Sequence, residues 1–135
     1  MDNRSIPIDN FRRNEKCFVQ SPCDKEDNWT EEQQLVFIDG VLRGTDFPTI
    51  ILRELPNTKP QEYEVIEGFR CIETLQKLLS SKLPIPSSLK DLPIFANHTS
   101  LSVFKGKKVL GQYSLLPDEL RQQIWEIPYP VKIIR

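Results

Sequence analysis

An α+β domain built on a small mixed sheet is what this sequence predicts, and three local patterns predict it. Two β-rich runs, Thr49-Ile50-Ile51-Leu52 and Glu62 to Ile66, flank a turn marked by Pro56, Asn57 and Pro60. Apolar residues recur at helical spacing after Thr30 and again after Gly68, giving two main helices. A third, short helix starts at Leu116-Pro117-Asp118-Glu119, with proline in the first turn and acids beside the N-terminus. With these helices we expect about four to six strands, a common sheet size.

Residues 1 to 28 read as an irregular N-terminal segment with a short strand around Lys16 to Gln20, and residues 29 to 135 as one domain. Thr30 and Gln33 have the spacing of a capping box, in which each side chain bonds the other residue's backbone N–H. Leu35, Ile38, Val41 and Leu42 then mark a buried face, and Gly44 ends the helix. The runs 49–52 and 62–66 predict an antiparallel pair. The helix of about 68–80 buries Phe69, Ile72, Leu75, Leu78 and Leu79 and turns Arg70, Glu73, Gln76 and Lys77 outward. The proline-rich connector KLPIPSSLKDLP predicts an ordered loop, since its prolines exclude a regular helix or a central strand. A hairpin follows over Leu101 to Leu110, turning at Lys105-Gly106-Lys107, and Tyr129 to Ile134 forms a final apolar strand.

Bulk properties exclude several function classes. A net charge of −1 gives no general pull toward nucleic acid or anionic membrane. No apolar run reaches the roughly 20 residues that span a bilayer, and MDNRSIPIDNFRRNEK lacks the apolar centre of a signal peptide. A cytoplasmic protein follows, with the sequons at Asn28 and Asn97 idle. Its three cysteines, Cys17, Cys23 and Cys71, are expected as reduced thiols. With one histidine, His98, and no ligand spacing, no metal site is predicted. The small basic groups Lys105, Lys107 and Lys108, and Arg12, Arg13 and Lys16, read as solvated edges.

The segment YEVIEGFRCIETLQKLL is the candidate site. A strand stops at Glu67-Gly68 and runs directly into a helix, whose N-terminus offers unpaired N–H groups to an anion. Glu67 is a candidate site carboxylate, or else a solvated strand-end acid. Gly68 serves the turn, Phe69 serves the core ahead of ligand stacking, and Arg70 binds phosphate or pairs with Glu67 or Glu73. Trp29 either staples the helix start or lines the pocket, with Gln33 beside it.

Two stretches, WTEEQQLVFIDGVLRGTDFPTIIL and YEVIEGFRCIETL, followed by GKKVLGQYSLLPDELRQQIWEIPYPVKII, carry a family likeness. The chain resembles the N-terminal domain of the GmrSD-type restriction proteins, which has a ParB/sulfiredoxin-like fold. The resemblance covers Trp29 to Ile134. It matches Trp29 and Gln33, the Leu-Arg-Gly end of the first helix and the Leu-Pro-x-Glu-Leu start of the last. The family signature Asp-Gly-Gln-Gln-Arg is replaced by Glu67-Gly68-Phe69-Arg70-Cys71, so both glutamines and the final arginine are lost. The resemblance implies anti-phage restriction with a nucleoside triphosphate and magnesium, or contact with DNA phosphate at Glu67, Gly68, Phe69 and Arg70. The lost residues imply binding with little or no hydrolysis. The alternative is a protein-interaction or inhibitory module. Because the family continues into a helical region past this strand, a homodimer or a larger protein partner is expected at the C-terminal strand or at the helix after Pro117.

Overall fold

The computed structural model describes residues 2–22, 28–95, 102–104 and 106–134. In chain order the elements are β1 (Asp2–Pro7), α1 (Asp9–Arg13), β2 (Phe18–Gln20), α2 (Glu31–Arg43), β3 (Ile51–Glu54), β4 (Tyr63–Glu67), α3 (Phe69–Leu79), β5 (Pro84–Pro86), β6 (Ser102–Phe104), β7 (Lys107–Gln112), α4 (Asp118–Trp125) and β8 (Pro128–Ile134), with single 3-10 turns between some of them. The class is α+β. A five-stranded mixed sheet has the order β1-β8-β3-β4-β2, and a three-stranded antiparallel sheet has the order β5-β7-β6.

The two helices open as local chemistry dictates. Thr30 Oγ1 accepts the Gln33 N–H at 3.2 Å, Gln33 Oε1 accepts the Thr30 N–H at 2.8 Å, and Gly44 closes α2 at φ 72°. β3 and β4 pair antiparallel as expected, Leu52 opposite Val65, with a bulge between Ile51 and Leu52. Alternation then sorts the main sheet's faces. Leu52, Val65, Tyr129, Val131 and Ile133 point into the core against Phe37, Ile38 and Val41 of α2 and Ile72, Leu75 and Leu78 of α3. On the other face Arg53, Pro130 and Lys132 stand exposed.

The N-terminal segment departs from expectation. Residues 2–20 hold β1, α1, a 3-10 turn and β2, and β1 pairs along β8 from Asp2 opposite Ile133 to Pro7 opposite Pro128. The physical reason is a distant partner: only Ile6 of β1 is buried, so DNRSIP carries no hydrophobic alternation of its own. Beside it, α1 is anchored by buried Phe11 and by the buried Asp9 carboxylate, which accepts from Arg12 Nε at 3.1 Å and pairs with Arg13 Nε at 2.9 Å. Two cations of the N-terminal basic group are therefore spoken for, and α1 is a short helix beyond those expected.

The connector is ordered, with Leu83, Ile85 and Leu89 buried, but it also supplies β5 at the edge of the second sheet, where prolines are tolerated. Arg43 ties it to α2: its guanidinium bonds Asp39 at 2.7 Å, the Ser88 carbonyl at 2.6 Å and both Asp91 oxygens at 3.0 and 3.1 Å. These bonds hold the Asp91 carboxyl below its ordinary pKa and push the guanidinium up. The strand β8 lies between β1 and β3, paired on both sides. On the β3 side the pairing covers Lys132, Ile133 and Ile134. Cys23, Asn97, His98 and Lys105 lie outside the described residues, as do the side chains of Lys107 and Lys108.

Candidate functional site

β4 delivers the candidate turn. Glu67 is its last residue, paired with Ile51 of β3, and its side chain is exposed. Gly68 follows at φ 92° as the N-cap of α3. A Cβ there would stand 2.6 Å from the Thr49 carbonyl oxygen and 2.8 Å from Ile50 Cγ1. Glycine is thus required twice, by a left-handed backbone and by the lead-in strand packed against it. The close approach at Gly68 is taken by the chain's own segment before β3.

Arg70 sits in the first turn of α3 with its side chain 13% exposed. Its Nη1 donates to Glu73 Oε1 at 3.2 Å, and the guanidinium carbon lies 5.7 Å from the centre of the Phe69 ring. Of the two pairings expected for Arg70, the structure brings together Arg70 and Glu73. So buried an arginine contributes packing as well as charge, so its removal is not neutral for the unliganded fold. Glu67 makes no side-chain hydrogen bond or ion pair among the described residues.

Cys71, where the family signature has arginine, is 2% exposed and packs against Tyr129. The Tyr129 hydroxyl donates to the Pro48 carbonyl at 2.5 Å, and burial pushes its phenol far above its ordinary pKa. Around it the Phe47, Phe37 and Phe11 rings lie 5.2, 6.4 and 6.2 Å away, centre to centre. Trp29 packs on Phe37 at 5.3 Å. It therefore staples the start of α2 to this aromatic cluster, the packing role of the two open to it. Gln33, the other pocket candidate, has its side-chain carbonyl engaged in the capping box.

The parallel strands β2 and β4 end side by side at this turn, Gln20 opposite Val65, and the Ser21 N–H donates to the Val65 carbonyl at 3.2 Å. Ligands of open α/β sheets gather outside such carboxyl ends. Comparison with protein-family models, curated proteins and solved structures finds no match to this chain. Function is therefore argued from the site alone.

Three clefts lined by described residues bear on it. One, of about 350 Å³, runs along α3 with Glu15, Glu73, Lys77 and Lys82 at its rim and Phe18 and Phe69 in its wall. A second, of about 330 Å³, is bounded by Arg4, Asn10, Asn14 and Gln61 and by the stacked Phe18 and Tyr63 rings. The third, of about 310 Å³, is lined by Asn3, Arg4, Ser5, Thr49 and Lys132 beside Phe47 and Ile50. Of the predicted site residues only Phe69 lines one of these three. The polar residues of the third escaped the sequence reading because strands distant in sequence assemble it.

Proposed function

We propose that this chain is a nucleotide- or phosphate-binding domain related to the GmrSD-type anti-phage restriction proteins, and that it binds without hydrolysing. The observation that carries the reading is the meeting of the β2 and β4 ends with the α3 N-terminus at an exposed Glu67. Magnesium is commonly held by one or two carboxylates together with substrate phosphates. Glu67 supplies one such carboxylate, so the metal would arrive with its nucleotide. Among the described residues no group of three His, Cys, Asp or Glu could hold a metal by itself. Phosphoryl transfer needs positioned cations and a held water. The signature arginine is here a buried cysteine, and Arg70 is turned onto Glu73. Binding survives that loss more readily than turnover.

Calorimetric or fluorimetric melting with ATP or GTP and magnesium at millimolar concentration tests this. A ligand that binds only the folded state raises the melting temperature, while phosphate release stays at the buffer level. Glu67→Gln should remove the magnesium-dependent part of the shift.

A second reading, a protein-interaction or inhibitory module for a larger family member, is favoured by the engagement of Arg70 with Glu73 and of Gln33 with the helix cap. No shift with any nucleotide, together with a dimer or complex in light scattering, would select it.

A further inference from the structure

The first strand of the main sheet has one side unused. β1 ends the order β1-β8-β3-β4-β2, so among the described strands only β8 pairs with it. Register decides which of its backbone groups are spent. The Lys132 N–H donates to the Ile50 carbonyl on the β3 side, so Asn3, opposite Lys132, belongs to a pair that exchanges no hydrogen bonds with β8. One step past Pro7, the Ile8 N–H does bond the Ile127 carbonyl at 3.0 Å, as the alternation requires. Asn3 and Ser5 therefore turn both N–H and C=O away from β8, and Pro7 turns its carbonyl the same way. Among the described residues these groups meet no backbone partner.

A cleft lies along that free edge. The cavity of about 330 Å³ takes the consecutive β1 residues Arg4 to Pro7 into its wall and no residue of β8. Consecutive strand residues alternate between faces, so a cleft that meets all of them without their paired neighbour opens at the edge of the strand. Arg4 and Ile6 stand opposite the core-facing Val131 and Tyr129 and thus share a face. The other walls carry the amides of Asn10 and Asn14 and the ring of Tyr63, stacked on Phe18. Among the described residues no carboxylate lines the cleft, and exposed Arg4 has no ion-pair partner.

We propose that an extended peptide of a partner protein adds to β1 as a further strand, hydrogen-bonded through Asn3 and Ser5, with its side chains in this cleft. The lining fixes the chemistry of that peptide. Positions opposite Arg4 and Ile6 lie two residues apart on the added strand and point to one face. The peptide therefore carries an acidic side chain for Arg4 and, two residues away, an apolar one for the wall of Ile6, Phe18 and Tyr63. Pro7 offers no N–H, which keeps the added ladder short. That proline and the charge on Arg4 also discourage promiscuous pairing, so selection falls to the acid. The inference rests on the protein-interaction reading only for the source of the peptide, and the cleft shares no residue with the Glu67–Arg70 turn.

Amide NMR of the isotope-labelled full chain tests the proposal, with a short capped peptide alternating threonine with glutamate and leucine added to millimolar concentration. The Asn3 and Ser5 amide signals should shift and gain protection from exchange. A peptide with lysine in place of the glutamate should bind about tenfold more weakly, the loss expected for one charged hydrogen bond. Arg4→Gln should erase the difference between the two peptides. Ser5→Pro removes one outward N–H and leaves the β8 ladder alone; it should melt like the parent and lose the peptide, and where it melts lower, Arg4→Gln decides by itself. Shifts confined to other strands, or equal affinity of the parent for both peptides, would overturn the proposal. So would a dimer in light scattering that Ser5→Pro dissociates, with no peptide bound, which assigns the edge to a second copy of this chain. No peptide binding beside an assembly that Ser5→Pro leaves intact would overturn the cleft and leave the protein-interaction reading standing. No binding and no assembly of any kind would sink both.

Discussion

Arg43 and Arg4 mark two kinds of polar region in one small protein. At the end of α2, Arg43 is saturated: Asp39, Asp91 and the Ser88 carbonyl meet its donors, and Ser88 Oγ donates back to Asp39 at 2.6 Å. Arg4, on the edge strand β1, is exposed and has no ion-pair partner among the described residues. The first arrangement closes on itself and fastens the 82–95 connector to a helix. The second leaves its charge directed at solvent. Exposure alone does not separate structural from binding cations; the presence of a complementary acid within reach does. By that criterion Arg70, held by Glu73, stands with Arg43.

The largest expected effect is at the Gly68 turn, where the chain packs most tightly on itself. Gly68→Ala should destabilise the protein by about 3 kcal/mol or more, combining a left-handed backbone with a clash against the Thr49 carbonyl. Chemical denaturation measures it. A loss well under 1 kcal/mol would mean that the lead-in strand yields easily.

Next in size is Arg70→Ala, which should cost about 1 to 2 kcal/mol through lost packing on Phe69 and the lost bond to Glu73. A neutral result in the same denaturation assay would move Arg70 back among the cations available to a ligand.

The Arg43 clamp should reveal itself through pH. Its hydrogen bonds hold the folded-state pKa of Asp91 below the ordinary 3.8. A depressed carboxylate contributes stability above its unfolded pKa, and that stability is lost as pH falls through the folded value. Arg43→Met should therefore lower the melting temperature near neutrality, with the difference from the parent shrinking once the pH drops below the aspartate range. A difference independent of pH would assign the effect to packing.

Smallest of all, Arg4→Gln and Lys132→Gln should shift unliganded stability by no more than about 0.5 kcal/mol, as for surface positions without partners. A larger loss in either would show that these cations also serve the fold.

Local signals made much of the scaffold legible. Thr30 and Gln33 cap each other within one turn, Gly44 and Gly68 take left-handed backbones, and β3 and β4 are joined by a short turn, so the partners of each lie close in sequence. β1 was invisible for the opposite reason, since Arg4 meets Val131 and Asn3 meets Lys132 only after the rest of the chain has folded between them. The site was legible as a turn but not as an arrangement. Sequence shows that Glu67, Gly68 and Arg70 are adjacent; it does not show that Arg70 turns back to Glu73. Nor does the capping spacing of Gln33 reveal that the cap removes it from a pocket.

The pairing of β1 with β8 also sets a timetable. As the chain leaves the ribosome, residues 2–7 emerge well before their ladder partner, residues 128–133. β3 and β4 can meet early, but β3 lacks its other neighbour until β8 is made. Contacts so distant in sequence slow folding because a long loop must close before they form. The ladder of β1 with β8 can close only after residue 133 has been made. Closure of β1 onto β8 is thus a late step, and the order of strands across the sheet runs against their order in time.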